Sequence, residues 1–373
     1  MSGISLRLRA RRWQTRMTRS AARLFGLNKT VYVDSRVAEY RGYWSAAARL
    51  IGAEFKSLTE SIWEVRLGER TTRVSNYVVA ADDPVTLRVA GDKVLCHTLA
   101  AKAGAKVPEH LAFTLDLLDD VRARVAGDAG PWVIKPASGS HSALGVTTGI
   151  TRAAQVEAAA MLASLESPRL MLEKMIAGES CRFLYLDGGL ISAVRRRGTR
   201  ITCDGKNTIA ALARQQGLLD LLDDALCRLT LRAQRLEKTS VPPKGREVIL
   251  TGTPREGLGQ REFRTIYDEP ITHLVHPAVA ESMGTVVRAI GSRFAGVDVI
   301  TVDPSLPLEL ANGGFLELNT TPGIHHHYHT EEDRRTHPVA VAVLESLLGL
   351  RGQNQTAAAS SVFRKEPKYV VAE

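Results

Sequence analysis

Apolar positions along the chain alternate between helical spacing and short period-2 runs. Residues 37–51 repeat at helical spacing after a short apolar run, TVYVD, which predicts a strand at Thr30–Asp34 and a helix at Val37–Ile51. Ile62–Leu67 and Thr72–Val79 read as two further strands, completing a small α/β unit over 30–90. "AGDKVLCHTLAAKAGAKVP" predicts a helix from Asp92, stopped at Gly104 and followed by Pro108. "GPWVIKPASGSHSALGVTTGI" has the pattern strand, small-residue loop, strand. A helix over Arg152–Leu165 and the strand "RLMLEKM" follow. Arg182–Leu186 and Leu190–Arg196 flank Asp187-Gly188-Gly189, a hairpin signal.

Helical stretches at 208–216 and 221–234 lead to a loop at Pro242-Pro243 and a long loop over 251–270. A helix at 277–292 and the strands "GVDVI" and "GFLELN" close the pattern, and the Ala/Ser-rich tail 351–373 is expected to be mobile. No internal repeat is visible. Because several strand pairs are hairpin-like, the fold class predicted is α+β rather than one doubly wound parallel sheet.

A chain of 373 residues exceeds one ordinary core and suits two or three subdomains. No apolar run reaches the roughly 18 residues needed to span a bilayer. Cys96, Cys181, Cys203 and Cys227 lack pairwise spacing, which disfavours a disulfide framework or a CxxC metal site and fits a reducing cytoplasm. The net charge of +9 is concentrated at the start. Residues 1–33 hold Arg7, Arg9, Arg11, Arg12, Arg16, Arg19, Arg23 and Lys29 and no acid. Trp13, Met17, Ala21 and Leu24 recur there at helical spacing, so 1–29 is read as a basic amphipathic extension that packs its apolar stripe on the main body. A transit peptide has the same composition, and contact with nucleic acid or a membrane surface are the other readings. The remainder is nearly neutral, so the fold as a whole is not a polyanion binder.

Three constellations carry chemistry. Lys135 ends "PWVIK" and precedes the small-residue loop "ASGSHSALGV", where backbone N–H groups can approach an anion closely. Glu173 ends an apolar strand in "LMLEKMIAGESCR", either as an acidic cap on an edge strand or at a connection that meets an adenine edge. Asp298 lies within an apolar strand, and Glu317 and Asn319, two apart, point to one face of another. Those three hard oxygen ligands suit magnesium completed by water and phosphates. Neither GxGxxG nor GxxxxGK[ST] is present, and "DGKNT" at 204–208 lacks the Walker spacing.

In this order the motifs resemble the ATP-grasp carboxylate–amine ligases, closest to the ATP-grasp domain of cyanophycin synthetases and to glutamate-adding ligases. "DKVLCHTLAAKAGAKVP", "WVIKPASGSHSALGV", "LEKMIAGESCRFLYLDGGLISAVRRR", "DGKNTIAAL", "SVPPKG", "FAGVDVITVD" and "FLELNTTPG" carry the likeness, which runs over about 91–329. The resemblance implies an ATP-grasp fold over 91–350, with a lid subdomain at about 130–180, preceded by the small α/β domain. It implies that Lys93 and Lys135 contact ATP phosphates under a lid loop 138–145 that includes Ser138, Gly139, Ser140 and Gly145. Glu173, with the backbone of Lys174 and Ile176, would receive the adenine, and Glu179 or Ser180 would meet the ribose. Arg182 and the arginines Arg195, Arg196 and Arg197 would face phosphate or substrate carboxylate. Strand alternation puts Arg195 and Arg197 on one face and Arg196 on the other. Asp298, Glu317 and Asn319 would hold one or two magnesium ions, with manganese as a substitute.

The chain departs from the cyanophycin pattern at "ILTGTPREGLGQR", where Thr251 replaces an arginine whose place Arg255 or Arg261 would take. It shows no counterpart of the second, Mur-ligase-like module, so the expectation is one amide bond per ATP, made on amino-acid or short-peptide substrates. His325, His326, His327, His329 and His337 crowd the region after Pro322-Gly323. The first three are assigned to the acceptor substrate, ahead of solvent exposure or a zinc site. Rival functions are a binding or regulatory protein that docks through its basic N-terminus, and a kinase on the same fold. No nucleic-acid partner is expected, and a homodimer is compatible with the family.

Overall fold

The computed structural model describes residues 5–24, 34–128, 130–139, 144–196, 199–223, 225–250, 269–328 and 338–350. The expected strand at Thr30–Asp34 lies almost wholly outside them, as do Ser140, Arg197, Arg255, Arg261, His329, His337, nearly all of the loop 251–270 and the tail 351–373. Two compact units emerge, one built from 1–31 and 82–322, the other from 32–81 and 323–373.

Helix α1 (Leu6–Leu24) belongs to the first unit. The second unit begins with α2 (Asp34–Leu50), followed by an antiparallel meander of β1 (Glu54–Ser57), β2 (Ile62–Leu67), β3 (Arg70–Ser75) and β4 (Val78–Val79). Trp63, Val65 and Val74 alternate with exposed positions and fill one face, as period 2 requires. The expected strand Thr72–Val79 is broken at Asn76, whose φ of 50° turns the chain and whose carbonyl accepts from the Trp44 indole at 2.7 Å. Strand β1 was not expected; only Phe55 of its four residues is even partly covered, so it shows no clear alternation.

In the first unit, α3 (Pro84–Ala90) starts with Asp83 accepting from the N–H groups of Val85 and Thr86. Asp92 likewise caps α4 (Lys93–Lys102) through Leu95 N–H. Next come β5 (His110–Phe113), α5 (Leu118–Gly127), β6 (Trp132–Pro136), β7 (Thr147–Ile150), α6 (Ala153–Ala163) and β8 (Leu170–Lys174). The four strands form an antiparallel sheet in the order β5-β8-β6-β7. Trp132, Ile134, Ile150, Leu170 and Leu172 pack there against Val121 and Val125 of α5 and Val156 of α6.

The second sheet uses β9 (Glu179–Leu186), β10 (Gly189–Arg195), β13 (Glu269–Pro270), β14 (Phe294–Thr301) and β15 (Gly313–Thr320), ordered β13-β10-β9-β14-β15. Phe183, Tyr185, Val297, Val299 and Phe315 face α4 and α9 (Pro277–Ile290) across one core. Each of these large side chains stabilises the unit by about 1.5–3 kcal/mol through burial. Between β10 and β13 in sequence, β11 (Arg200–Thr202), α7 (Ile209–Gln215), α8 (Ala225–Ala233) and β12 (Glu247–Ile249) enclose a third small core around Ile201, Leu212 and Val248. Helix α10 (Pro338–Leu347) then packs on α2 in the second unit.

Gly178 enters β9 with φ of 132°, and a Cβ there would sit 2.6 Å from the Thr301 carbonyl oxygen. Only glycine lets the start of β9 close onto the end of β14. That closure brings Arg182 opposite Asp298.

Candidate active site

Register places one row of polar side chains across the five-stranded sheet. Arg182 on β9 is opposite Asp298 on β14, and Asp298 is opposite Glu317 on β15. Gly296 pairs with Asn319, so Glu317 and Asn319 share that face with Asp298. Ser180 joins it, two residues before Arg182. Arg196 follows the last β10 residue on the same side, its N–H on the Ser180 carbonyl at 2.8 Å, and its charge acts on Asp298. Arg195 is on the reverse face, where it meets Glu179 and Glu269 at 3.5 Å. Glu179 is held there by Arg200 at 3.0 Å as well.

Both carboxylates of the row carry cations. Arg182 donates from Nε and Nη2 to the two oxygens of Asp298, the second bond at 2.8 Å, and Asn319 Nδ2 adds a third at 3.0 Å. Burial pushes the Asp298 carboxyl up against the pull of Arg182 and Arg196. Lys93, at the start of α4, lies 3.3 Å from Glu317. Burial alone would raise Glu317, but Lys93, Lys135 and Arg182 outweigh it and hold this carboxyl below its ordinary range. Glu317 in turn raises Lys93. Among the described residues no group of three or more His, Cys, Asp or Glu side chains is placed to hold a metal. Asp298, Glu317 and Asn319 supply two carboxylates and one amide, a hard-oxygen set that fits a magnesium ion using additional oxygens from water and phosphate.

A second buried pair lies on β6 and β8, the two central strands of the other sheet, so Glu173 is not the edge-strand cap that was one sequence expectation. Lys135 Nζ donates to both Glu173 oxygens, at 2.9 and 2.8 Å, with both residues almost fully buried. Ser138 bridges to Asp92, and the Lys93 N–H donates to the Ala137 carbonyl at 2.9 Å, so the loop start and the first turn of α4 are tied together. Gly139 and Gly145 both take positive φ, at 72° and 76°. Lys174 turns to Asp128 and lies 4.7 Å over the Trp132 ring, and its N–H is taken by the Glu109 carbonyl. Ile176 follows in the irregular connection before β9.

His97 joins the two pairs, and sequence reasoning gave it no role. Fully buried on α4, it places Nε2 2.8 Å from the Leu316 carbonyl and 3.4 Å from Glu173. Leu316 is the extra residue of a β-bulge: Asp298 pairs with Glu317 but Val299 with Phe315. The bulge lets Phe315 enter the core while Glu317 keeps the opposite face. Since a carbonyl accepts, Nε2 carries the proton and Nδ1 the lone pair, which finds no partner among the described residues. Burial first, and then Lys135, push this imidazole down to about 3.

A consequence for acid stability follows. Below the unfolded value of about 6.5 the unfolded chain takes up a proton that folded His97 refuses until about 3, so stability falls across that window as pH drops. The loss reaches about 2 kcal/mol by pH 5. Urea unfolding at pH 7 and pH 5 should show that loss in the parent protein and lack it in His97→Gln; equal losses would reject it.

His325, His326 and His327 form a 3-10 turn, Ile324–His327, in the second unit. Tyr40 Oη lies 2.7 Å from His325 Nδ1, and the His325 and His326 rings are tilted at 3.9 Å. His326 and His327 are buried, and Tyr328 stacks on Tyr43 at 4.2 Å. General solvent exposure of these histidines, one sequence expectation, is therefore excluded for His326 and His327.

The fold matches a bifunctional glutathione synthetase from Pasteurella multocida with a TM-score of 0.55 and 21% identity, over 83% of this chain and 44% of that one. By sequence, cyanophycin synthetase of Trichormus variabilis is 30% identical over 254 residues, 65% of this chain and 27% of the relative. The chain has an ATP-grasp fold. The glutathione biosynthesis bifunctional protein GshAB of Mannheimia succiniciproducens is 24% identical over 297 residues, 75% of this ATP-grasp chain and 38% of that protein. No family model matches the sequence. This ATP-grasp chain thus spans little more than a quarter of the first curated relatives.

Proposed function

We propose that the protein is an ATP-dependent carboxylate–amine ligase that forms one amide bond through an acyl phosphate, on amino-acid or short-peptide substrates. The observation that carries this is the polar row Arg182, Arg196, Asp298, Glu317 and Asn319, with Lys93 set against its acidic end. Lys93 and Lys135 hold the ATP phosphates, and Glu173 with the Lys174–Ile176 connection receives the adenine. Ser180, on the face of Arg182, is the ribose contact, because Glu179 is turned to Arg195 and Arg200. Arg182 and Arg196 orient the carboxylate being activated, and Asp298, Glu317 and Asn319 hold the magnesium. Bound there, magnesium supplies positive charge to the transferring phosphoryl group. His97 is a positioning residue that fixes the Leu316 bulge and hence Glu317. His325, His326 and His327 are assigned to the acceptor. No nucleophilic side chain is required.

The buried thiols of Cys96, Cys181 and Cys203 support a reducing, cytoplasmic setting. Among the described residues no helix is long and apolar enough to cross a membrane.

The test is an ADP-release screen across pairs of amino acids and dipeptides, with products identified by mass. A condensed product formed in step with ADP is expected. A stable phosphorylated product formed without any amine would assign a kinase instead and reject the ligase.

A further inference from the structure

Helix α1 packs with its polar side inward. Arg11 pairs with Glu157 of α6, Arg12 donates to the Ser164 carbonyl at 2.8 Å, and Leu8 is only partly buried against the core below. At about 100° per residue, the opposite side carries Leu6, Ala10, Trp13 and Met17. Arg9 and Arg16 border that stripe on one edge and Arg7 on the other. Leu6 is 85% exposed, Trp13 66% and Met17 51%. This reverses the sequence expectation of an apolar stripe packed on the main body, for the positions whose side chains are described. The reason is electrostatic: the α6 surface offers a carboxylate and a helix-end carbonyl, which select arginines over an indole.

An apolar stripe edged by cations and Gln14, with no acid beside it, has a specific partner chemistry. Residues 1–33 contain eight cations and no acid, so the face repels a cationic or basic surface and attracts an anionic one. Nucleic acid would use the arginines but give Leu6, Trp13 and Met17 nothing apolar to enter. An anionic bilayer satisfies both, with the apolar side chains at the headgroup–acyl boundary and arginines on the phosphates. We propose that α1 is a membrane-surface anchor whose outward face binds anionic phospholipid, while Arg11 and Arg12 hold it to the unit bearing the active site. A single helix with three apolar anchors gives reversible attachment, so the protein exchanges between solution and the surface.

Trp13 is a built-in reporter, because the other three tryptophans, Trp44, Trp63 and Trp132, are buried. The full chain is mixed with vesicles of phosphatidylglycerol and phosphatidylcholine, and with phosphatidylcholine alone. Co-sedimentation, a blue shift of emission and quenching by brominated acyl chains are expected on the anionic vesicles only, weakening as salt rises. Arg9→Glu with Arg16→Glu should lower apparent affinity by about a hundredfold or more. Met17→Glu should abolish the quenching, and both variants should keep the parental urea midpoint. Three results would overturn the anchor: no binding to anionic vesicles, a lipid-free blue shift that grows with protein concentration and assigns the face to a second copy, or binding to duplex DNA in place of vesicles.

Discussion

Glu317→Ala is expected to lower amine-dependent ADP release by about 10²–10³-fold or more, the scale seen when one preorganised charge contact to a transition state is removed. Glu317 is held ionised because Lys93, Lys135 and Arg182 outweigh its burial, so it is a full negative charge at any working pH. Its removal takes one carboxylate from the proposed magnesium ligands and leaves Lys93 without the partner 3.3 Å away. Glu317→Gln keeps the shape and loses the charge, and should be nearly as inactive. Turnover is measured at saturating ATP and magnesium, beside the urea midpoint of each variant. Undiminished turnover in a folded Glu317→Gln protein would remove Glu317 from the site.

The Lys135–Glu173 pair should separate stability from activity. Both side chains are nearly fully buried, so Glu173→Ala leaves an ammonium in apolar surroundings without its carboxylate. A loss of about 3–5 kcal/mol is expected, visible as a lower urea midpoint. Replacing both, as Lys135→Met with Glu173→Leu, removes the buried charge as well as its partner and should restore most of the stability. If the two residues hold ATP, the restored protein still releases no ADP and shows no ATP-induced rise in melting temperature. A double variant that is stable and active would make the pair purely structural.

Much of the frame was legible along the chain. Asp92 before an apolar-periodic run marks the start of α4, and the structure has its carboxylate on Leu95 N–H. Asp187-Gly188-Gly189 turns β9 into β10 as its composition requires. The helices expected at 208–216 and 277–292 appear as Ile209–Gln215 and Pro277–Ile290, within a residue or two at each end. Strands His110–Phe113, Arg200–Thr202 and Glu247–Ile249 were not found, because three or four residues between sheet edge and solvent show too little alternation. Helix Pro84–Ala90 was missed although Asp83-Pro84 is a start signal, since the segment has only seven residues to display a period.

The site divides in the same way. Residue types and their order along the chain were set locally: a lysine ending one strand, a carboxylate inside another, Glu317 and Asn319 two apart, arginines on both faces of a hairpin. Strand alternation alone separated Arg195 from Arg196. Which charge sits on which was decided by tertiary structure. Arg182 and Asp298 are 116 residues apart, and His97 reaches Leu316 across 219. The bulge that frees the Leu316 carbonyl, and the outward face of α1, also depend on surfaces contributed by distant segments. Periodicity records that a side chain has an apolar or polar environment available to it; only packing determines which distant group supplies that environment.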